Sequence, residues 1–149
     1  MIRDRVVGYR ERVQTRLRAT FSQDHPPHFI AVSFAIGVFM TTLPTLGTGL
    51  IVLAAIGYRY AWANNLALFA AVVVLNPVAK TGVYSMSFIL GTILLGSPPG
   101  ITNPEIGLTA GREILVRLLA GNAIIAVVFA LVGYAFAHYG VRAVRRYKK

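Results

Sequence analysis

Four stretches of the sequence, residues 25–58, 60–79, 81–104 and 118–141, contain no Asp, Glu, Lys or Arg. Each exceeds the ~18 uncharged, mostly apolar residues that mark a candidate membrane segment. Inside hydrocarbon, backbone N–H and C=O groups must find partners within the chain, which limits how such a sequence can fold. A soluble helical protein would instead carry amphipathic stripes throughout. Charged residues make up 13% of the chain, against about 25% in soluble domains. These features predict an all-α, polytopic helical membrane protein with a single transmembrane domain over 25–141.

The apolar region is interrupted twice by related sequences. Leu43-Pro44-Thr45-Leu46-Gly47-Thr48-Gly49 and Leu75-Asn76-Pro77-Val78-Ala79-Lys80-Thr81-Gly82 share a P-x-x-x-T-G pattern. Pro44, Thr48 and Gly49 match Pro77, Thr81 and Gly82 at a constant offset of 33 residues. Proline removes a backbone donor and disfavours helix in the residue before it. The expected elements are Phe29–Leu43 and Gly47–Tyr58 in repeat 1 (29–58), then Leu66–Leu75 and Val78–Leu95 in repeat 2 (64–95). At 1.5 Å per residue the first two reach roughly 22 and 18 Å, short of a ~30 Å core, as in a hairpin that dips into the membrane. Such re-entrant or broken helices in two tandem repeats point to a transporter-type site. A loop follows over 96–111, then a final span over about 114–141.

The ends are basic, and the net charge is +10. Ile2, Val6, Tyr9, Val13, Leu17 and Phe21 fall on one helical face, with Arg3, Arg5, Arg10, Arg12, Arg16 and Arg18 around them. Residues 1–24 therefore read as a basic amphipathic helix on an anionic membrane surface, or as a solvated helix packed on the protein. Residues 142–149 form a basic tail. Both termini are expected in the cytoplasm of a multi-pass plasma-membrane protein. An even number of crossings then follows from one hairpin, one broken helix that crosses, and the final span. The basic residues flank apolar segments, so anionic lipid headgroups rather than nucleic acid are the expected partners.

Enzyme chemistry has little to work with. There is no cysteine, and the apolar region has no carboxylate pair and no histidine between His28 and His138. No catalysis and no cofactor are expected. Asp24, His25 and His28 could be drawn as a metal site, but two intervening prolines and the lack of a further firm ligand favour a polar elbow. The expected substrate-binding set is Lys80, Asn76, Pro77, Thr81, Gly82, Pro44, Gly47, Thr48 and Gly49. Helix N-termini after each proline offer unpaired N–H groups and a partial positive charge. Lys80 has no acid between Asp24 and Glu105 to pair with. A lysine at the bilayer centre costs about 2.5–3.5 kcal/mol, so an anion, water or a route to the surface must compensate it.

Gly37-Val38-Phe39, Pro44-Thr45-Leu46-Gly47, Asn64-Asn65, Asn76-Pro77 and the basic end after the last span resemble the prokaryotic domain-of-unknown-function 2062 family over roughly residues 25–146. Ala79 stands where that family commonly has Thr, and Gly82 precedes Val83-Tyr84 without the family's proline. The resemblance implies a link to polyprenyl-phosphate lipids, because some relatives are fused to glycosyltransferases that use them. The expected function is a small transporter or flippase for an anionic substrate, such as a lipid phosphate of polyprenyl-phosphate type. The alternatives are a scaffold that assembles with a second copy or a partner membrane enzyme through Gly- and Ala-rich helices, and a small ion channel.

Overall fold

The computed structural model describes residues 5–12, 25–75, 77–98 and 107–149, and all regular structure among them is helical. Helix α1 covers 5–12. It is followed by α2 (Pro27–Thr42), α3 (Thr48–Arg59), α4 (Asn65–Val74), α5 (Pro77–Leu95) and α6 (Gly107–Tyr147). Two of these, α5 and the Ala110–Tyr147 part of α6, are long and apolar enough to cross a membrane. Most of the predicted amphipathic N-terminus (Ile2, Arg3, Val13, Arg16, Leu17, Arg18, Phe21), Asp24 and half of the 96–111 loop lie outside the described residues.

Local chemistry sets the helix ends. Pro27 opens α2 at its first turn, where a missing N–H costs nothing. Pro44 ends it, holding Leu43 extended at ψ 146°. The chain then turns with Leu46 at φ 50° and Gly47 at φ 93°, both left-handed. Asn64 caps α4 by accepting the Ala67 N–H at 3.0 Å. Its own N–H donates to the Ser33 hydroxyl on α2 at 2.8 Å.

The contacts give each helix its direction. Along α6, His28 meets Tyr134, Phe34 and Val38 meet Gly133, and Thr42 meets Asn122, so α2 runs antiparallel to α6. Along α4, Ser33 meets Asn64 and Gly37 meets Leu68 and Ala71, so α4 runs parallel to α2. Gly49 lies against Met40 and Gly57 against Asn65, so α3 returns antiparallel to α2. Gly91 faces Arg117 and Ser87 faces Gly121, so α5 is also antiparallel to α6. The α2–α3 pair therefore folds back on itself, whereas α4 and α5 run on in one direction through their interruption. The two pairs are not superposable copies of one another. Their connections differ in length: Leu43–Gly47, with its left-handed residues, can reverse the chain, and Leu75–Asn76 is too short to do so.

The last element is longer than expected. Helix begins at Gly107 inside the predicted 96–111 loop, and the tail expected from 142 is helical to Tyr147. Forty-one residues at 1.5 Å make α6 about 61 Å long. It is the spine against which α2 and α5 pack. A small apolar cluster of Val38, Ala71 and Leu75, joined by Phe34, Ala79 and Phe129, binds α2, α4, α5 and α6 together. A second cluster of Leu53, Ala63 and Leu68 holds α3 in place.

Gly37 is what lets α2 and α4 approach. A Cβ there would overlap the Leu68 carbonyl and lie 2.9 Å from the Ala71 Cβ. Gly37→Ala is expected to destabilise the protein by about 1–3 kcal/mol through overpacking. Thermal unfolding in detergent reads this directly; an unchanged midpoint would mean the α2–α4 contact is looser than drawn.

Candidate functional site

Several of the described polar side chains inside the helical bundle lie near the two interruptions, and others join the helices at the opposite end of α2. On α5, Lys80, Val83, Ser87 and Gly91 recur at spacings of 3, 4 and 4, one face of a helix. Val83, Ser87 and Gly91 are buried and that face meets α6. Lys80 is half-buried at its start, in the first turn after Pro77. Its neighbour Ala79 packs on the cluster containing Val38 and Phe129. Phe129 is at the middle of the charge-free stretch 118–141. Among the described residues no ion pair or hydrogen bond holds the Lys80 ammonium. The described carboxylates are Glu11 and Glu113, and Glu113 belongs to Arg117.

Other expected site residues fall elsewhere. Thr81 and Gly82 are exposed on different faces of α5, and the Thr81 hydroxyl donates to the Pro77 carbonyl at 3.1 Å. In the first interruption Gly47 and Thr48 are exposed, Pro44 is half-buried and Gly49 is buried. The Thr48 hydroxyl donates to the Thr45 carbonyl at 2.7 Å. Both threonine protons are thus spent on the chain's own backbone. Asn76 lies outside the described residues. No hydrogen bond joins Pro44–Gly49 to Pro77–Gly82 among those described, and Lys80 shares its face with α6 contacts rather than with the first interruption.

The residue that does connect the two regions is Asn122, fully buried on α6. Its Nδ2 donates to the Thr42 carbonyl at 3.1 Å and to the Ser87 hydroxyl at 3.2 Å. It therefore ties the last residue of α2 to the middle of α5. Ser87 can accept because its own proton goes to the Val83 carbonyl at 2.7 Å. Asn122 Oδ1 is left buried without a hydrogen-bond partner, and so is Thr41 Oγ1. Thr42, by contrast, donates to the Val38 carbonyl. A buried acceptor without a partner costs about 1–3 kcal/mol, which a ligand or water donor at that position would recover. The result is an uncharged polar seam of Thr42, Ser87 and Asn122, with Lys80 about two turns away along α5. Such a seam can accept a hydrogen bond at Asn122 Oδ1, and Lys80 can attract an anion; none of these residues is a nucleophile with a base. Asn122 was not legible as a site residue, because one amide in a long apolar run gives no pattern. Its neighbour Gly121, a small residue beside a polar one, was the available signal.

A second group gathers at the other end of α2. The His28 Nδ1 and the Tyr134 hydroxyl share a hydrogen bond of 2.8 Å, and Tyr134 stacks on His138. Arg145 donates to the His25 carbonyl at 2.7 Å. Histidines 25 and 28 thus serve to join α2 to α6, while Asp24 lies outside the described residues.

Residues 10–149 match the DUF2062 family, whose description is "Uncharacterized protein conserved in bacteria". No curated protein and no solved structure matches the chain.

Proposed function

The chain belongs to the DUF2062 family, and we propose that it is a multi-pass membrane protein that binds and moves an anionic lipid phosphate, of polyprenyl-phosphate type, at the break before α5. Lipid as the surrounding medium is supported by the exposure of its apolar surface. Only 17% of the apolar window in α5 and 28% of that in α6 is buried, whereas the core helix of a soluble protein would be mostly covered. Val73, Val78, Ile93, Leu131 and Phe136 all point outward. In this reading α2–α3 is a re-entrant hairpin, α4–α5 a broken crossing of about 43 Å, and α6 the return crossing. Both termini are then cytoplasmic beside the basic end of α6, with α1 on the anionic surface.

The observation that carries the proposal is Lys80: a half-buried cation facing the spine helix at mid-height, with no carboxylate for it among the described residues. A phosphate would satisfy it. Between Lys80 and the polar pair Ser87–Asn122 lies one buried apolar turn at Val83, so the charge of the ligand is met at Lys80 itself. Substituting Lys80 with Ala removes a charge-assisted contact of about 1.5–3 kcal/mol, so affinity for a lipid phosphate should fall roughly 10- to 100-fold. Lys80→Arg should restore part of it. The test is liposomes carrying purified protein and fluorescent prenyl phosphate, scored for binding and for transfer between leaflets. Binding without transfer would favour the scaffold; equal binding by the Lys80→Ala variant would overturn the site.

A further inference from the structure

We propose that a lateral groove between α2 and α6 holds the chain of an anionic phospholipid, with its phosphate at the basic end of α6. This rests on the membrane placement above but not on the Lys80 site. The groove has a volume of about 320 Å³ and is lined by Val32, Ile36, Phe39 and Met40 of α2 and by Leu131 and Tyr134 of α6, among others. From Val32 to Met40 it follows α2 for about 12 Å, most of the ~15 Å hydrocarbon of one leaflet. Its walls are apolar except at one end, where the Tyr134 hydroxyl is already bonded to His28. A groove of this kind accepts a hydrocarbon chain and offers nothing to a polar solute.

The occupant's charge is set by what lies beyond that end. One turn above Tyr134, His138 stacks on it, with Nδ1 buried and without a hydrogen-bond partner. Arg142 follows one turn later, and with Tyr139, Arg146 and Tyr147 it lines a second cavity of about 400 Å³. No described carboxylate pairs with Arg142 or Arg146. A phosphate at this height meets arginine donors and tyrosine hydroxyls, the usual recognition set for an anionic headgroup at a membrane surface. Apolar groove and basic cavity are therefore at successive heights on one helix, in the order of a lipid's tail and head.

The full-length protein is reconstituted in vesicles of equal phosphatidylglycerol and phosphatidylcholine, extracted in mild detergent, and its retained lipid counted by native mass spectrometry. The parent should retain phosphatidylglycerol at least five-fold over phosphatidylcholine. Filling the groove with Ala35→Trp, or with Leu131→Trp from the opposite wall should the first variant fail to fold, should lower total retained lipid about ten-fold. The double variant Arg142→Glu, Arg146→Glu should keep retention and lose the preference. Ile93→Ala, on the outward face of α5 and away from both groove and break, should change neither. Groove-filled variants that hold as much lipid as the parent, or a charge-reversed variant that keeps its preference, would overturn the proposal. Loss of retention in Lys80→Ala alone would also overturn it, placing the lipid at the break and leaving the proposed function intact. A parent that leaves the membrane fraction would overturn both readings.

Discussion

Gly121→Ala is expected to part α5 from α6 and cost the protein its compact fold. A Cβ at Gly121 would overlap the Ser87 carbonyl and come within 2.8 Å of the Gly91 backbone nitrogen. One at Gly91 would overlap the Arg117 carbonyl. In both cases the obstacle is backbone, which cannot rotate aside as a side chain can. Overpacking ordinarily costs about 1–3 kcal/mol and more where nothing yields. Small residues exist at such crossings to allow helix backbones to touch, the main source of helix association in lipid. Either Ala variant should lose most cooperative thermal unfolding and run as an expanded species on size exclusion. Gly111→Ala and Gly140→Ala are the controls. Nothing lies within 4 Å of a Cβ at either position, so both should match the parent or gain the ~1 kcal/mol of helix propensity that Ala has over Gly. Equal behaviour of all four variants would mean that the α5–α6 crossing is not the fold's main joint.

Arg117→Met should do comparable damage from one end of the same joint. Arg117 is 5% exposed. Its Nε donates to the Gly96 carbonyl at 2.7 Å, and its Nη2 reaches the Leu95 and Ser97 carbonyls at 3.5 and 3.4 Å. The Nη1 donates to the Glu113 carbonyl at 3.0 Å and forms an ion pair with the Glu113 carboxylate. One guanidinium thus takes up the last carbonyl of α5, at Leu95, and the two that follow it, at a helix end that cannot satisfy its own carbonyls. Gly96, at φ 80°, gives the left-handed turn that presents them. Removing the guanidinium breaks this set of part-buried hydrogen bonds at once, at a cost of about 1–3 kcal/mol. Lys replaces a five-donor fork with a point charge, so Arg117→Lys should lie between. Chemical unfolding of α5, followed by hydrogen exchange at Ser87 to Leu95, would show it. Protection that survives in Arg117→Met would assign the cap to other groups.

These two joints also show what could be read from the sequence and what could not. The helix ends at Thr42, Val74 and Leu95 lie within a residue or two of expectation, because Pro44, Pro77 and Gly96 act locally. Lys80 was visible as a lone charge in an apolar run. The direction of each helix after its break was not visible in the shared P-x-x-x-T-G pattern. It depends on how many residues separate the helices and whether any adopt a left-handed backbone, as Leu46 and Gly47 do. Arg117 had the look of a surface residue in an amphipathic lead-in. Only the antiparallel return of α6 past Leu95 brings it onto carbonyls 20 to 22 positions earlier. Asn122 acts across 80 residues to Thr42 and 35 to Ser87, separations that no local pattern records.

The proposed site is tested most directly by a photoreactive prenyl phosphate, cross-linked to the protein in vesicles and mapped by peptide mass spectrometry. Adducts should fall on the first two turns of α5 and on α6 around Phe129. Excess unlabelled prenyl phosphate should compete them away, and Lys80→Ala should lose them at least ten-fold. Adducts confined to the outward residues Met86, Ile89 and Ile93, equal in the parent and in Lys80→Ala, would contradict a lipid-phosphate site at the break.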